Sequence, residues 1–182
     1  FHNCLSVPFD DLLSKGFHTR QGDVRPAGSL NTAMQLVAVI FQLQSLDQFG
    51  GVSATHLDWT MVPFFRKSFL KHYISAWVRD QDEFADTDFL SLYDQTYTDQ
   101  VGVVRSTYDQ WIDGMKGHFF EKTGLTKDDF TLANKAKLDK RYYNSALCDT
   151  LNELRQAVEA MYHNLNTLQS RSGDQLPFTS IN

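Results

Sequence analysis

The sequence predicts an α/β chain with a helical excess, and three observations predict it. Short β-compatible runs stand at both ends of the chain and just after residue 51. An apolar run from Leu30 to about Gln48 has helical length and no polar face. A repeat from Leu147 to Leu168 steps by four and three. The order strand, helix, strand, helices, strand lets helices cover one sheet.

Each element follows from local chemistry. Residues 1 to 9 are apolar and β-compatible, and Pro8 marks an end of pairing because proline cannot donate to a ladder. Asp10 to Gly16 predicts one helical turn stopped by Gly16. Residues 18 to 28, with Gly22, Pro26 and Gly28, read as loop. Ser29 is the expected N-cap of a helix from Leu30 to about Gln48. Leu36, Val37, Ala38, Val39, Ile40, Phe41 and Leu43 leave that helix without a polar face, so it is expected to be buried on most sides. Gly50-Gly51 ends it. Val52 to Thr55 is a short β-like run, and Trp59 to Tyr73 returns to helical spacing.

The middle of the chain is harder to divide. Asp80 to Asp88 is acidic and reads as a solvated loop. Phe89, Leu92, Tyr93, Tyr97, Val104, Tyr108, Trp111, Met115 and Phe119 recur at mostly helical spacing, with Gly102 as a break. Thr126 and Asp129 form a capping-box pattern with Asp in place of Glu, which would start the next helical region. The last helix, about Asn144 to Gln169, has the cleanest pattern. Leu147, Leu151, Leu154, Val158, Met161, Leu165 and Leu168 form an a/d seam, with Asn152, Arg155, Gln156 and Glu159 outside it. Gly173 then stops the helix and a final strand begins.

The chain opens Phe1-His2-Asn3-Cys4 without an initiator Met and closes on Leu176-Pro177-Phe178-Thr179-Ser180-Ile181-Asn182. A strand cut at its end needs partners elsewhere, so the sequence is expected to be a segment of a larger protein. At 182 residues it is long enough for one domain with a real core. There are 17 Lys and Arg against 22 Asp and Glu, a balance that argues against a general nucleic-acid binder. Cys4 and Cys148 are far apart, which fits a reducing cytoplasm better than a disulfide scaffold. The longest apolar stretch, Leu36 to Leu46, is interrupted by Gln42 and Gln44 and is too short to span a bilayer. Glycine-rich phosphate loops, dinucleotide fingerprints and nucleophile elbows are absent. The six histidines are scattered, so no metal site is expected.

Three stretches together are more specific. They are Phe1-His2-Asn3-Cys4 followed by Leu12-Leu13-Ser14-Lys15-Gly16-Phe17; Ser29-Leu30-Asn31-Thr32-Ala33 leading to Gln48-Phe49-Gly50-Gly51; and Asn166-Thr167-Leu168-Gln169-Ser170-Arg171-Ser172-Gly173-Asp174-Gln175-Leu176-Pro177-Phe178-Thr179. In this order the chain resembles the anaerobic (class III) ribonucleoside-triphosphate reductases, which are glycyl-radical enzymes. The resemblance covers nearly the whole chain as one partial domain, residues 1–182. The acidic, aromatic-rich region of about residues 75–140 is less well matched.

The resemblance implies a fragment of the ten-stranded α/β barrel of glycyl-radical enzymes, and a function in making deoxyribonucleoside triphosphates from ribonucleoside triphosphates. It places Cys4 as the strand cysteine that faces the substrate opposite a finger-loop thiyl radical. His2 stands where some relatives have Phe. Asn3, Gly50, Gly51, Gln175, Pro177, Phe178, Thr179 and Ser180 are the implied substrate-binding residues. Gln35, Gln42, Lys67 and Lys71 are candidates for contact with a deoxynucleotide or ATP effector. The glycyl radical, made by an iron–sulfur, S-adenosylmethionine-dependent activating enzyme, and a zinc site are expected outside this segment, in the C-terminal part of the family's chain. The segment alone is therefore expected to be inactive. Homodimerisation and a cytoplasmic location are implied as well, with no nucleic-acid or membrane partner.

Each assignment has a plainer counterpart. A free cysteine is most often a small buried hydrophobe, and lysines at helical spacing usually form a solvated face. Gly50-Gly51 reads equally as a helix stop. The seam is either a helix packed on its own core or a subunit interface of the 3.5-repeat kind. Cys148, beside the seam, reads as structural. The alternative to a reductase segment is a non-catalytic helical dimerisation module.

Overall fold

The computed structural model describes residues 4–19, 22–47, 51–81, 96–98, 104–130, 132–167 and 179–181. In chain order the elements are β1 (Cys4–Ser6), α1 (Phe9–Lys15), β2 (Phe17–Thr19), β3 (Gly22–Val24), α2 (Leu30–Asp47), β4 (Gly51–Ala54), α3 (Leu57–Arg79), β5 (Thr96–Thr98), β6 (Val104–Ser106), α4 (Thr107–Thr123), 3-10 turns at Lys127–Asp129 and Leu132–Lys137, α5 (Lys140–Thr167) and β7 (Thr179–Ile181). The fold is helix-rich with a few short strands, as expected. The residues group into two compact units, Phe1–Ser68 with Thr150–Asn182, and Phe69–Asp149. The division falls within α3 and within α5.

In the first unit β1, β4 and β7 form a parallel sheet with β4 in the centre. β4 alternates, with Val52 and Ala54 buried and Gly51 and Ser53 half-buried. Val52 and Ala54 join one apolar core with Phe9 and Leu13 of α1, the buried stripe of α2, Leu57, Met61 and Phe64 of α3, and Ala157, Met161 and Leu165 of α5. Phe9 meets Phe41 with ring centroids 5.3 Å apart. Burying one such side chain is worth roughly 1.5–3 kcal/mol. The expectation that α2 is buried on most sides is met only in part, because Asn31, Thr32, Gln35 and Val39 form an exposed face. Leu30, Ala33, Met34, Val37, Ala38, Ile40 and Phe41 are all buried, and Ser29 caps the helix by accepting the Thr32 N–H at 3.3 Å.

Gly16 stops α1 as its position predicts, donating its N–H to Leu12 at 3.0 Å. Its φ is +77°, and a Cβ there would lie 2.3 Å from the Val24 carbonyl oxygen, so only glycine fits.

The second unit is built on aromatic rings. Phe119 has no exposed surface, and Tyr73, Trp77, Phe120 and Phe130 surround it at centroid distances of 5.9, 5.2, 5.3 and 6.1 Å. The Asp139 N–H donates to Tyr73 Oη at 3.0 Å, and Tyr142 donates its phenol proton to Asp80.

Four local readings are corrected. Residues 18 to 28 are not all loop, because Phe17–Thr19 and Gly22–Val24 pair antiparallel as β2 and β3, with His18 opposite Asp23. Tyr97 and Val104 are not helical; in the β5–β6 ladder Tyr97 is in register with Arg105 and Val104 with Thr98, and α4 begins only at Thr107. Threonine, tyrosine and valine are strand formers, and that preference outweighs a sparse helical spacing. The capping box exists, with Asp129 Oδ2 accepting the Thr126 N–H at 2.9 Å, but it opens a three-residue 3-10 turn. Helix α3 runs beyond the Trp59–Tyr73 expectation at both ends and contains Pro63. The acidic run from Asp82 to Asp88 lies outside the described residues.

Candidate functional site

The parallel sheet brings the three sequence motifs together. Cys4 at the start of β1 is in register with Gly51 at the start of β4. Val52 is in register with Thr179 and Ser53 with Ser180. Neighbouring strands lie about 4.8 Å apart, so residues separated by 47 and 127 positions become lateral neighbours. Cys4 and Gly51 occupy the amino-terminal edge of the sheet, on the pleat positions opposite Val52 and Ala54. Asn3, Gly50, Gln175, Pro177 and Phe178 lie outside the described residues.

The same pleat adds two residues that motif reading passes over. Ser6 is two positions after Cys4, and Ser53 is two after Gly51; the two serines are themselves in register. Ser6 is exposed, and its hydroxyl lies 3.4 Å from that of Thr55. The period-two alternation Cys-Leu-Ser and Gly-Val-Ser was the signal that could have found them.

The effector candidates do not converge in the same way. Gln35 is exposed and donates to the Asn31 side-chain oxygen at 3.5 Å, whereas Gln42 is half-buried. Lys67 is already engaged: its ammonium donates to the Ala27 carbonyl at 3.3 Å and lies 5.2 Å from the Phe64 ring centroid. Lys71 is half-buried and belongs to the second unit.

The helix side of the sheet holds an apolar cavity of about 420 Å³, lined in part by Leu30, Met34, Met61, Phe65, Val158 and Met161. Among the described residues, Asp58 is the only carboxylate in its wall and no Lys or Arg lines it. That chemistry suits packing and does not suit a triphosphate. The a/d seam borders it unevenly. Met161 and Leu165 are buried, Leu154 and Val158 pack partly against the core, and Leu151 is 49 % exposed. Ala146, Thr150 and Ala157 take the most buried positions on α5, which turns the buried stripe away from Leu151. Leu168 lies outside the described residues. Cys148 is exposed.

Among the described residues no group of three or more His, Cys, Asp or Glu side chains is placed to hold a metal ion. None of the described helices is long and apolar enough to cross a membrane.

Comparison with known proteins adds the chemistry. The family model for anaerobic ribonucleoside-triphosphate reductase matches residues 1–182. The anaerobic ribonucleoside-triphosphate reductase of Haemophilus influenzae is 29% identical over 70 residues, which cover 38% of this chain and 10% of the relative. Those of Salmonella typhimurium and Escherichia coli are each 27% identical over 70 residues, with the same coverage. The chain therefore matches about a tenth of the length of these curated relatives.

Proposed function

The chain belongs to the anaerobic ribonucleoside-triphosphate reductase family, and from that membership we propose that it forms part of the catalytic barrel of an enzyme converting ribonucleoside triphosphates to deoxyribonucleoside triphosphates. The observation that carries this reading is the register of the parallel sheet. It sets Cys4 beside Gly51, with Thr179 and Ser180 on the next strand. Three separate motifs thus share one sheet.

In this reading Cys4 offers its thiol to the ribose from one wall. A thiol gives up a hydrogen atom readily, and in a pocket that excludes water it does so without side reactions. The glycyl radical, held elsewhere in the enzyme and made by a radical S-adenosylmethionine activating protein, supplies the oxidising equivalent that starts the chemistry. A structural zinc also belongs to that other part. Asn3, Gly50, Gly51, Gln175, Pro177, Phe178, Thr179 and Ser180 contribute to substrate binding. The enzyme works in the cytoplasm as a homodimer, with α5 at the subunit contact and deoxynucleotide or ATP effectors bound near Gln35, Gln42, Lys67 and Lys71. Residues 1–182 alone carry no turnover, because the radical-bearing groups lie outside them.

Cys4→Ser in the full-length enzyme tests the assignment. Serine is close in size but does not donate a hydrogen atom or form a disulfide. Turnover with the physiological reductant should stop, while equilibrium binding of the ribonucleoside triphosphate persists. A variant with normal turnover removes Cys4 from the chemistry.

A further inference from the structure

Protein cores are packed as densely as organic crystals, with few voids larger than a water molecule. The cavity among α2, α3 and α5 departs from that. Its volume of about 420 Å³ lies in the range of small-molecule sites. It is reachable from solvent, because Val62, Tyr162 and Ile181 line it and are 39%, 57% and 38% exposed. All its lining residues belong to the first unit.

A ligand in an apolar pocket is oriented by a few polar groups. Two are present here, Asp58 in the first turn of α3 and Tyr162 on α5. Among the described residues, neither side chain makes a hydrogen bond or an ion pair.

We propose that this cavity binds a small organic cation, a primary ammonium ion on an apolar arylalkyl body, with the ammonium at the Asp58 carboxylate and the body among Met34, Met61, Phe65 and Met161.

The sign of the charge follows from the wall. One carboxylate and no Lys or Arg line it, so an anion is repelled and a cation attracted. An ammonium ion, like a lysine side chain, stays protonated at neutral pH. The Tyr162 ring at the rim offers a cation a further attraction through its π face. The apolar body follows from the remaining lining. Three of the chain's four methionines stand there. Thioether side chains adapt to an occupant's shape and make favourable contacts with aromatic rings. The site is independent of the role given to Cys4, and a ligand held by the folded state also raises its stability.

The test uses the full-length enzyme and three probes of similar shape: 4-phenylbutylammonium, 4-phenylbutan-1-ol and 4-phenylbutanoate. Calorimetric titration should show the ammonium binding about two- to fivefold more tightly than the alcohol, the range of a solvent-exposed ion pair. The carboxylate should bind most weakly. Asp58 is exposed, so Asp58→Asn should fold normally; it should erase the ammonium's advantage and leave the alcohol's affinity unchanged. Val158→Phe, which narrows the cavity, should weaken the ammonium and the alcohol alike. The comparison of probes in the wild type needs no variant and stands even if Val158→Phe fails to fold. Absence of binding by all three probes overturns the proposal, because the cavity is then filled by another part of the full-length protein or by a second copy. Equal affinity for ammonium and alcohol in the wild type overturns it too, as does an ammonium advantage that survives Asp58→Asn. Unchanged ammonium binding by folded Val158→Phe places the cation outside the cavity and has the same consequence.

Discussion

Ser68 on α3 donates its hydroxyl proton to the Glu153 carboxylate on α5 at 3.1 Å, and the same hydroxyl oxygen accepts the Leu30 N–H at 3.0 Å. Glu153 also accepts the Asn31 N–H at 3.3 Å. The first turn of α2 is thus capped from two other helices, in addition to its own Ser29. A helix start leaves amides without intrahelical partners, and its partial positive charge favours a carboxylate. The core contacts of α2 are apolar and have little directionality, so these hydrogen bonds define where the helix begins and which way it faces.

Ser68→Ala should therefore destabilise the protein by about 1–3 kcal/mol, since Ser68 is only 2% exposed and its loss strands the buried Leu30 amide. Glu153→Ala should cost a comparable amount. The double variant should cost less than the sum, because both changes break one shared network. Denaturant unfolding of the four proteins reads the cycle. Strict additivity would mean that the two residues act independently.

How much of this was legible beforehand depends on range. The Ser29 cap, the Gly16 stop and the apolar length of α2 are local signals, and each was readable. The trans cap links positions 30, 68 and 153, and no spacing rule connects residues so far apart. The sheet register shows the same contrast. The alternation in β1 and β4 is in the sequence, but which strands become neighbours is not. Tyr97 departs from its helical spacing because Thr96–Thr98 and Val104–Ser106 are rich in strand formers and pair over long range.

Acid should weaken the second unit through Asp129. Its carboxyl is pulled down to about 2 from the usual 3.8 by the hydrogen bond from Lys137, at 2.8 Å, and by the amide and hydroxyl of Thr126. The unfolded chain then binds a proton at a higher pH than the folded one. This contribution is complete above the unfolded value and declines as pH falls from about 4 towards 2. Unfolding of wild type and Asp129→Asn across that window should show the wild-type advantage shrinking as acid is added. A constant difference would remove Asp129 from the acid response.

Tyr142 should respond at the other end of the scale. Its hydrogen bond to Asp80, followed by burial and the carboxylate's charge, pushes the phenol up to about 12 from 10.0. The folded state therefore holds the phenol proton longer than the unfolded chain does. The stabilisation is present below pH 10.0 and is lost as pH rises towards 12. Ultraviolet titration of wild type against Tyr142→Phe isolates this phenol. Asp80→Asn should bring its ionisation back towards the ordinary range. An unchanged titration in that variant would show that Asp80 does not set it.

The proposed subunit contact is best tested at Leu151. Leu154 and Val158 pack against the first unit's own core, so a charge at either would damage folding and association alike. Leu151 belongs to the same a/d seam but is 49% exposed, and Tyr162, eleven positions on, is 57% exposed. Two apolar side chains left open on one helix have a use if α5 meets its symmetry mate. In a two-fold contact one substitution acts on both copies. Leu151→Asp would bury a carboxylate twice across such an interface, at a cost on the order of several kcal/mol unless it is protonated. The folded monomer, in which the site faces solvent, should barely notice it. Sedimentation of the full-length enzyme at micromolar concentration should then show monomers with an unaltered unfolding transition, and the effector's influence on substrate choice should weaken in parallel. A variant that stays dimeric, with the effector response intact, places the interface elsewhere and leaves the heptad spacing of α5 as a feature of its packing within the subunit.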